Sequence, residues 1–206
     1  MERRAPSVGP SSSWEHTRKP ERHTAALVGR VLDVTTTLPQ QGPPAPTTRV
    51  GSEAEILRSW LDFHRQTLRW KVGGLTPEQA ATASVEPSGL SLLGLVRHLT
   101  DCERWWFRVV GAGEVRLGEL FPREGEDLLE ATPERAFDDL ARFEEEVAAA
   151  DAVLTGADLD SEVSRPSGSG TYSMRWVLIH MVEEYARHNG HADLIRERLD
   201  GATGDG

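Results

Sequence analysis

The sequence predicts an all-α domain, and three observations support this fold class. From residue 52 onward, hydrophobic residues recur at helical spacing in four long segments. Each segment begins at a Ser or Thr that can cap a helix, and glycines follow most of the segment ends. No segment keeps the polar–apolar alternation of a half-buried strand, although residues 161–165 and 171–172 could pair briefly. We therefore expect four helices and almost no sheet.

The first predicted helix runs from Ser52 to Gly73. Ser52 and Glu55 have the spacing of a capping box, in which each side chain accepts a hydrogen bond from the other residue's backbone N–H. The apolar stripe of this helix comprises Leu57, Leu61, His64 and Leu68. Thr76, followed by Pro77 and Gln79, predicts a short helical turn beyond it.

A long acidic loop over residues 118–127 separates the second and third predicted helices. The second helix starts near Ser91 and ends near Gly111, and its stripe comprises Leu95, His98, Cys102, Trp105 and Val109. The third helix begins at Thr132, and its apolar positions are Phe137, Leu140, Phe143, Val147 and Val153. Another long loop covers residues 159–172. Loops of this length often carry or cover a functional site.

The fourth predicted helix, Trp176 to Leu199, carries ionisable residues on its apolar face. At about 100° per residue, His180, Glu184, His188 and His191 fall within about 80° of one another around the helix axis. The same side holds Trp176, Val177, Met181, Leu194 and Ile195, and the opposite side holds Tyr185, Asn189, Asp193 and Arg196. Burying imidazoles and a carboxylate without partners would cost several kcal/mol. A divalent metal ion is the simplest partner for both groups.

Not all four of these side chains can bind one ion, because residues at i and i+8 lie about 12 Å apart along a helix. The compact pair is Glu184 with His188, or His180 with Glu184. His98 on the second helix also points inward, and with Glu184 and His188 it would complete a three-ligand site with room for water, as in a catalytic zinc centre. The alternative is a polar seam, in which the histidines form hydrogen bonds between helices.

Several other side chains are candidates to border this site. Cys102 is either a soft fourth ligand or a small buried side chain, and we favour the latter. His64 is either a pocket residue or a core histidine, and Trp105 is a core and pocket-wall residue. Arg187 either pairs with Glu183 or Glu184 or contacts an anionic substrate.

The composition bounds the class of protein. The chain has 206 residues and a formal net charge of −10, which argues against nucleic-acid binding through phosphate neutralisation and against binding to an anionic membrane. No apolar run approaches the roughly 20 residues that span a bilayer, and no secretory signal is visible. Cys102 is the only cysteine, which fits a reducing compartment. We expect a cytoplasmic protein with a disordered extension over residues 1–48 and a folded domain over residues 52–204.

Two segments, residues 88–99 and 175–193, resemble the DinB-like superfamily, in its DUF664 (mini-circle protein) branch. The resemblance covers about residues 52–204. It implies an antiparallel four-helix bundle with up-down-down-up topology, in which a long crossover joins the second and third helices. The acidic loop of this sequence has the position of that crossover.

The resemblance also implies a metal site and a class of chemistry. Members of the superfamily bind a divalent ion through one ligand on the second helix and two on the fourth, which match His98, Glu184 and His188. The related mycothiol-dependent maleylpyruvate isomerases use a His, Glu, His set of this layout. His180 and His191 then become neighbouring or pocket residues. We expect zinc, with nickel or iron as alternatives.

Related enzymes use a low-molecular-weight thiol such as mycothiol for transfer or isomerisation. The resemblance therefore implies a thiol-dependent transferase that acts on electrophilic small molecules, with the thiol and the substrate as its partners, and we expect a homodimer. The alternatives are a non-catalytic metal-binding or stress-response protein and a metal-dependent hydrolase.

Overall fold

The computed structural model describes residues 36–118, 120, 121, 123–168 and 170–204. Residues 1–35, which contain most of the predicted extension, lie outside the described part. The described helices are α1 (Glu53–Val72), α2 (Pro77–Ala80), α3 (Leu92–Glu103), α4 (Glu126–Leu129), α5 (Ala136–Leu154) and α6 (Met174–Asp200). Strands β1 (Glu162–Ser164) and β2 (Thr171–Ser173) form a small antiparallel pair. The expectation of a helical protein with a brief strand pairing is confirmed.

The helix starts follow the capping residues of the sequence. Ser52 and Glu55 form the expected capping box at α1, and the Ser91 side chain accepts a hydrogen bond from the Gly94 backbone N–H at the start of α3. Ser173, one of the two residues proposed, caps α6. The third helix begins differently, because Thr132 leads into a short 3₁₀ turn and α5 follows from Ala136 without a side-chain cap.

The second predicted helix is interrupted by a change of helix type. After Glu103 it continues to Gly111 as a π-helical segment, whose hydrogen bonds span five residues. In this segment Trp106 and Phe107 are buried, as is Val109 of the predicted stripe, whereas Trp105 of that stripe is only half-buried. In α5 the stripe also differs from the prediction, since Phe137 is 40% exposed.

The long helices pack in pairs around one hydrophobic core. Helix α1 packs along α6, α3 packs along α5, and α3 also contacts α6. The core side chains include Leu61, Leu68, Leu95, Leu99, Phe107, Phe143, Val177, Met181 and Ile195. None of the described helices is long and apolar enough to cross a bilayer.

A buried ion pair crosses this core between α1 and α3. Arg65 donates from Nε and Nη2 to the two carboxylate oxygens of Glu103, each at 2.7 Å. The hydroxyl of Tyr185 on α6 donates to the same carboxylate at 2.7 Å. Burial, followed by the charge of Glu103, raises the pKa of Tyr185 well above its ordinary value, so the hydroxyl stays a donor. Tyr185 lies on the side of α6 opposite the apolar face of the sequence pattern, which means that α6 is buried on two sides.

Part of the predicted N-terminal extension contacts the helical domain. Leu38 is 1% exposed, and its backbone N–H donates to the Leu75 carbonyl at 2.7 Å. Its own carbonyl accepts from the Gly74 N–H at 3.1 Å. Apolar burial and two backbone hydrogen bonds therefore attach residue 38 to the domain, upstream of the boundary that we predicted near residue 50.

Replacing Glu103 with Ala should destabilise the fold strongly, because the buried Arg65 guanidinium would lose its main counter-charge. We expect the free energy of unfolding to fall by about 3–5 kcal/mol, measured by urea denaturation. The matched control is Glu144→Ala, which removes an exposed partner of Arg69 and should cost at most about 1 kcal/mol. Equal losses in the two variants would contradict this account.

Candidate metal centre

Helices α3 and α6 bring His98, Glu184 and His188 together. Glu184 and His188 are one turn apart on α6, and Nε2 of His188 lies 3.4 Å from Oε2 of Glu184. Nε2 of His98 on α3 lies 3.8 Å from the same oxygen, and the two imidazole centroids are 4.7 Å apart. One donor atom from each residue lies within 4.8 Å of the other two. Donors about 2.0–2.2 Å from a tetrahedral zinc ion stand about 3.3–3.6 Å apart, so small side-chain adjustments suffice to hold an ion.

The environment of His188 keeps its imidazole neutral. The side chain is buried, and this burial, with the adjacent His98 and His191, lowers the pKa of His188 to about 4. A neutral imidazole has the free lone pair that metal coordination requires. Nδ1 of His191 lies 3.3 Å from Nδ1 of His188, so a proton shared between these atoms leaves Nε2 of His188 free toward Glu184.

His98 is oriented by a carboxylate that sequence reasoning missed. Oδ2 of Asp127, on α4, lies 2.7 Å from Nδ1 of His98. This contact favours a proton on Nδ1 and leaves Nε2 as the donor atom, which is the usual arrangement around a metal-binding histidine. Asp127 closes the predicted acidic loop. Sequence reasoning could have found Asp127, because a histidine that points inward needs a hydrogen-bond partner and the acidic loop offers carboxylates.

The position between His98 and Glu184 favours positive charge. Burial opposes the charged form of His98, but Asp127 and then Glu184 outweigh it and raise the pKa of His98. Burial likewise opposes the charged form of Asp127, but the hydrogen bond to His98, backbone N–H groups and the charge of His98 together outweigh it and lower the pKa of Asp127. In the absence of another cation, a proton satisfies this demand, and a divalent ion would compete with it.

Close packing between α3 and α4 makes the Asp127 contact possible. Gly94 lies one turn before His98, and a Cβ at this position would collide with the carbonyl oxygen of Leu128. The glycine therefore lets the α4 backbone approach α3 directly, which places Asp127 within reach of the imidazole.

Cys102 is not among the three residues whose donor atoms lie within 4.8 Å of one another. Its Sγ lies 3.6 Å from Nε2 of His98. Burial, followed by the charge of Glu184, raises the pKa of the Cys102 thiol well above its ordinary value. The thiol packs against the hydrophobic core, which favours the packing interpretation over a fourth ligand.

His180 and Arg187 border the cluster on α6. A ring nitrogen of His180 lies within 4.8 Å of carboxylate oxygens of Glu183 and Glu184. The Arg187 guanidinium pairs with Glu183 and donates to Oε1 of Glu184 at 3.1 Å. Of the two roles considered for Arg187, the structure shows the pairing with Glu183 and Glu184. The other oxygen of Glu184, Oε2, faces the histidines.

His64 is not part of the three-residue cluster. Nδ2 of Asn189 donates to the His64 carbonyl at 3.0 Å and lies 3.3 Å from its Nδ1. Burial lowers the pKa of His64, as expected for a neutral core histidine. His64 lines a separate cavity of about 250 Å³ between α1 and α6. Trp105 packs against the hydrophobic core.

The chain matches the model of a known protein family. The model of the family described as mycothiol-S-transferase matches residues 56–201, which is more than half of the chain and includes the three clustered residues and Asp127. No curated protein matches the sequence.

The titration midpoints of the two clustered histidines should lie on opposite sides of the ordinary value of about 6.5. In protein freed of metal by a chelator, histidine NMR should give a midpoint near pH 4 for His188. The midpoint of His98 should lie above its ordinary value, and Asp127→Asn should lower it. Equal midpoints for the two residues would contradict the described environment.

The lowered pKa of His188 also determines how the free energy of unfolding changes at acid pH. Its pKa of about 4 in the folded protein lies below that of an unfolded histidine, so the unfolded chain binds more protons between these values. This residue therefore lowers the free energy of unfolding as the pH falls from about 6.5 to about 4. In urea denaturation of metal-free protein, His188→Gln should lose less stability over this interval than the wild type.

Proposed function

Because this chain belongs to the mycothiol-S-transferase family, which lies within the DinB-like superfamily, we propose that it joins a mycothiol-type thiol to electrophilic small molecules. A divalent ion held by His98, Glu184 and His188 would assist this transfer. The observation that carries the proposal is the convergence of one nitrogen from each of two imidazoles and one carboxylate oxygen within 4.8 Å of one another. Membership of this family supports a metal site over a polar seam between helices.

The donor set fits a transition-metal ion. Two imidazoles and one carboxylate are ligands that zinc accepts, and three protein ligands leave a coordination position open. We propose zinc, with nickel or iron as alternatives. When bound, the ion would act as a Lewis acid that lowers the pKa of a thiol at the open position.

The surrounding residues would orient and balance the site. Asp127 fixes the ring of His98 through Nδ1, and Arg187 binds Oε1 of Glu184 while Oε2 faces the histidines. His180 and His191 line the neighbouring turns of α6.

In the transfer, the thiol loses its proton to solvent and its sulfur forms a bond to the electrophilic carbon. The leaving group departs with the electron pair of the broken bond.

The finer assignments of the family and the fold belong to the same proposal. We infer that α1, α3, α5 and α6 form the antiparallel up-down-down-up bundle, and the packing of α1 on α6 and of α3 on α5 and α6 supports this. Membership of the DUF664 branch and kinship with maleylpyruvate isomerase rest on the sequence motifs. A homodimer and a cytoplasmic location stay predictions.

Metal content tests the ligand assignment. Elemental analysis of gently purified wild-type protein should find about one transition-metal ion per chain, and His188→Ala should lose it because two donors cannot hold the ion tightly. His64→Ala is the matched control, since His64 is a half-buried histidine outside the cluster, and it should keep its metal. Wild-type metal content in His188→Ala would contradict the assignment. A metal-free wild type, even after reconstitution, would favour the polar seam.

Replacement of Asp127 tests the orienting contact. Asp127→Asn should reduce metal affinity, or kcat/KM for conjugation of mycothiol to a fluorogenic alkyl halide, by about 10- to 100-fold. Glu124→Gln changes an exposed acidic residue of the same loop and should leave both quantities unchanged. If the two variants behave alike, Asp127 has no role in the site. Hydrolysis of ester substrates without conjugation would favour the metal-dependent hydrolase.

A further inference from the structure

An aromatic surface leads along α6 to the proposed metal site. The rings of Tyr172 and Trp176 are 4.6 Å apart, and Trp176 stacks with His180 at 4.9 Å and 19°. Trp106 borders all three rings at centroid distances of 4.7–5.5 Å. We call these four side chains the aromatic strip. A His180 ring nitrogen lies within 4.8 Å of a Glu184 carboxylate oxygen, so the strip is continuous with the proposed site.

The strip offers apolar surface to solvent. Trp176 is 43% exposed, and the neighbouring Ile179 is 48% exposed. Trp106 is buried beneath them, and Tyr172 and His180 are half-buried. An exposed apolar area that adjoins a polar site is typical of a binding surface. Its position beside Glu184 fits the second substrate of a transfer reaction.

A cation lies at the far end of the strip. The Arg165 guanidinium carbon lies 5.5 Å from the ring centroids of both Trp106 and Tyr172. Among the described residues, no carboxylate forms an ion pair with Arg165, and its Nε, which is buried, has no hydrogen-bond partner. Arg187 differs, because Glu183 and Glu184 already neutralise it. Arg165 is thus the cation of this surface that is placed to take an anionic group.

We propose that the electrophilic substrate of this site is an aromatic molecule that carries a carboxylate. Its ring would pack against Trp176, its carboxylate would pair with Arg165, and its reactive carbon would face the cluster of His98, Glu184 and His188. This inference rests on the proposed function for the reaction and on the strip for the substrate class. Arginine pairs well with carboxylates through its planar set of donors.

The experiment measures binding of 2-naphthoate to the full-length, metal-loaded protein by isothermal titration calorimetry. Trp176→Ala should weaken binding about two- to tenfold, the range expected for loss of one aromatic contact. Trp60→Ala is the matched control, because Trp60 is 41% exposed on α1, and it should bind as the wild type does. No binding to the wild type, or equal weakening in the two variants, would overturn the proposal.

A neutral analogue of 2-naphthoate tests whether Arg165 pairs with the carboxylate of the ligand. Arg165→Gln should weaken binding of 2-naphthoate at least fivefold and leave 2-naphthalenemethanol unchanged, whereas Arg142→Gln on α5 should change neither. Equal effects of Arg165→Gln on both probes would overturn the assignment of the carboxylate. Circular dichroism checks that each variant is folded.

The two proposals fail in distinguishable ways. If the strip binds 2-naphthoate but no thiol conjugate forms, the proposed reaction fails and the strip still defines the ligand class. If aliphatic and aromatic electrophiles are conjugated equally well and 2-naphthoate does not bind, the transferase stands and the inference about the strip fails. Binding of 2-naphthoate should persist in His188→Ala, because the strip lies outside the ligand set.

Discussion

The buried contact among Arg65, Glu103 and Tyr185 constrains how α6 can rotate and slide against α1 and α3. A carboxylate without exposed surface must keep both of its partners, since loss of either leaves a charge or a polar group unsatisfied in the core. Tyr185 directly follows Glu184, and Glu103 lies five residues after His98. The contact that satisfies Glu103 therefore also fixes the distance between the two helices that supply the candidate ligands.

The burial of the polar groups decreases from this contact toward the candidate site. Glu103 is fully buried, Glu184 and His188 are slightly less buried, and Asp127 is half-buried on α4. Both carboxylate oxygens of Glu103 accept hydrogen bonds, and Oδ2 of Asp127 lies against Nδ1 of His98. The cluster of His98, Glu184 and His188 departs from this pattern. Lone pairs on two imidazoles and one carboxylate converge there, and there is not a hydrogen-bond hydrogen for each of them. Such a surplus of lone pairs is what a metal ion satisfies.

Much of the fold could be predicted from the sequence, because local signals specify helix ends. The capping box at Ser52 and the cap at Ser91 each act through a few neighbouring residues. The inward direction of His98, Glu184 and His188 followed from helical periodicity in the same way. Contacts between distant segments could not be predicted: the pairing of Asp127 with His98 depends on how the acidic loop folds back. The π-helical turn after Glu103 broke the assumed period, and the burial of Tyr185 on the second side of α6 depends on α1.

Gly94 shows that the properties of such a centre can depend on a residue with no polar side-chain atom. Its missing Cβ sets the closest distance between two backbones, and that distance determines whether the Asp127 carboxylate reaches the histidine ring. In an evolving lineage, exchanges at this position would tune the electron density of the His98 imidazole while every ligand stayed unchanged. A comparison confined to the ligands would therefore class such proteins as equivalent, although their centres would differ in metal affinity.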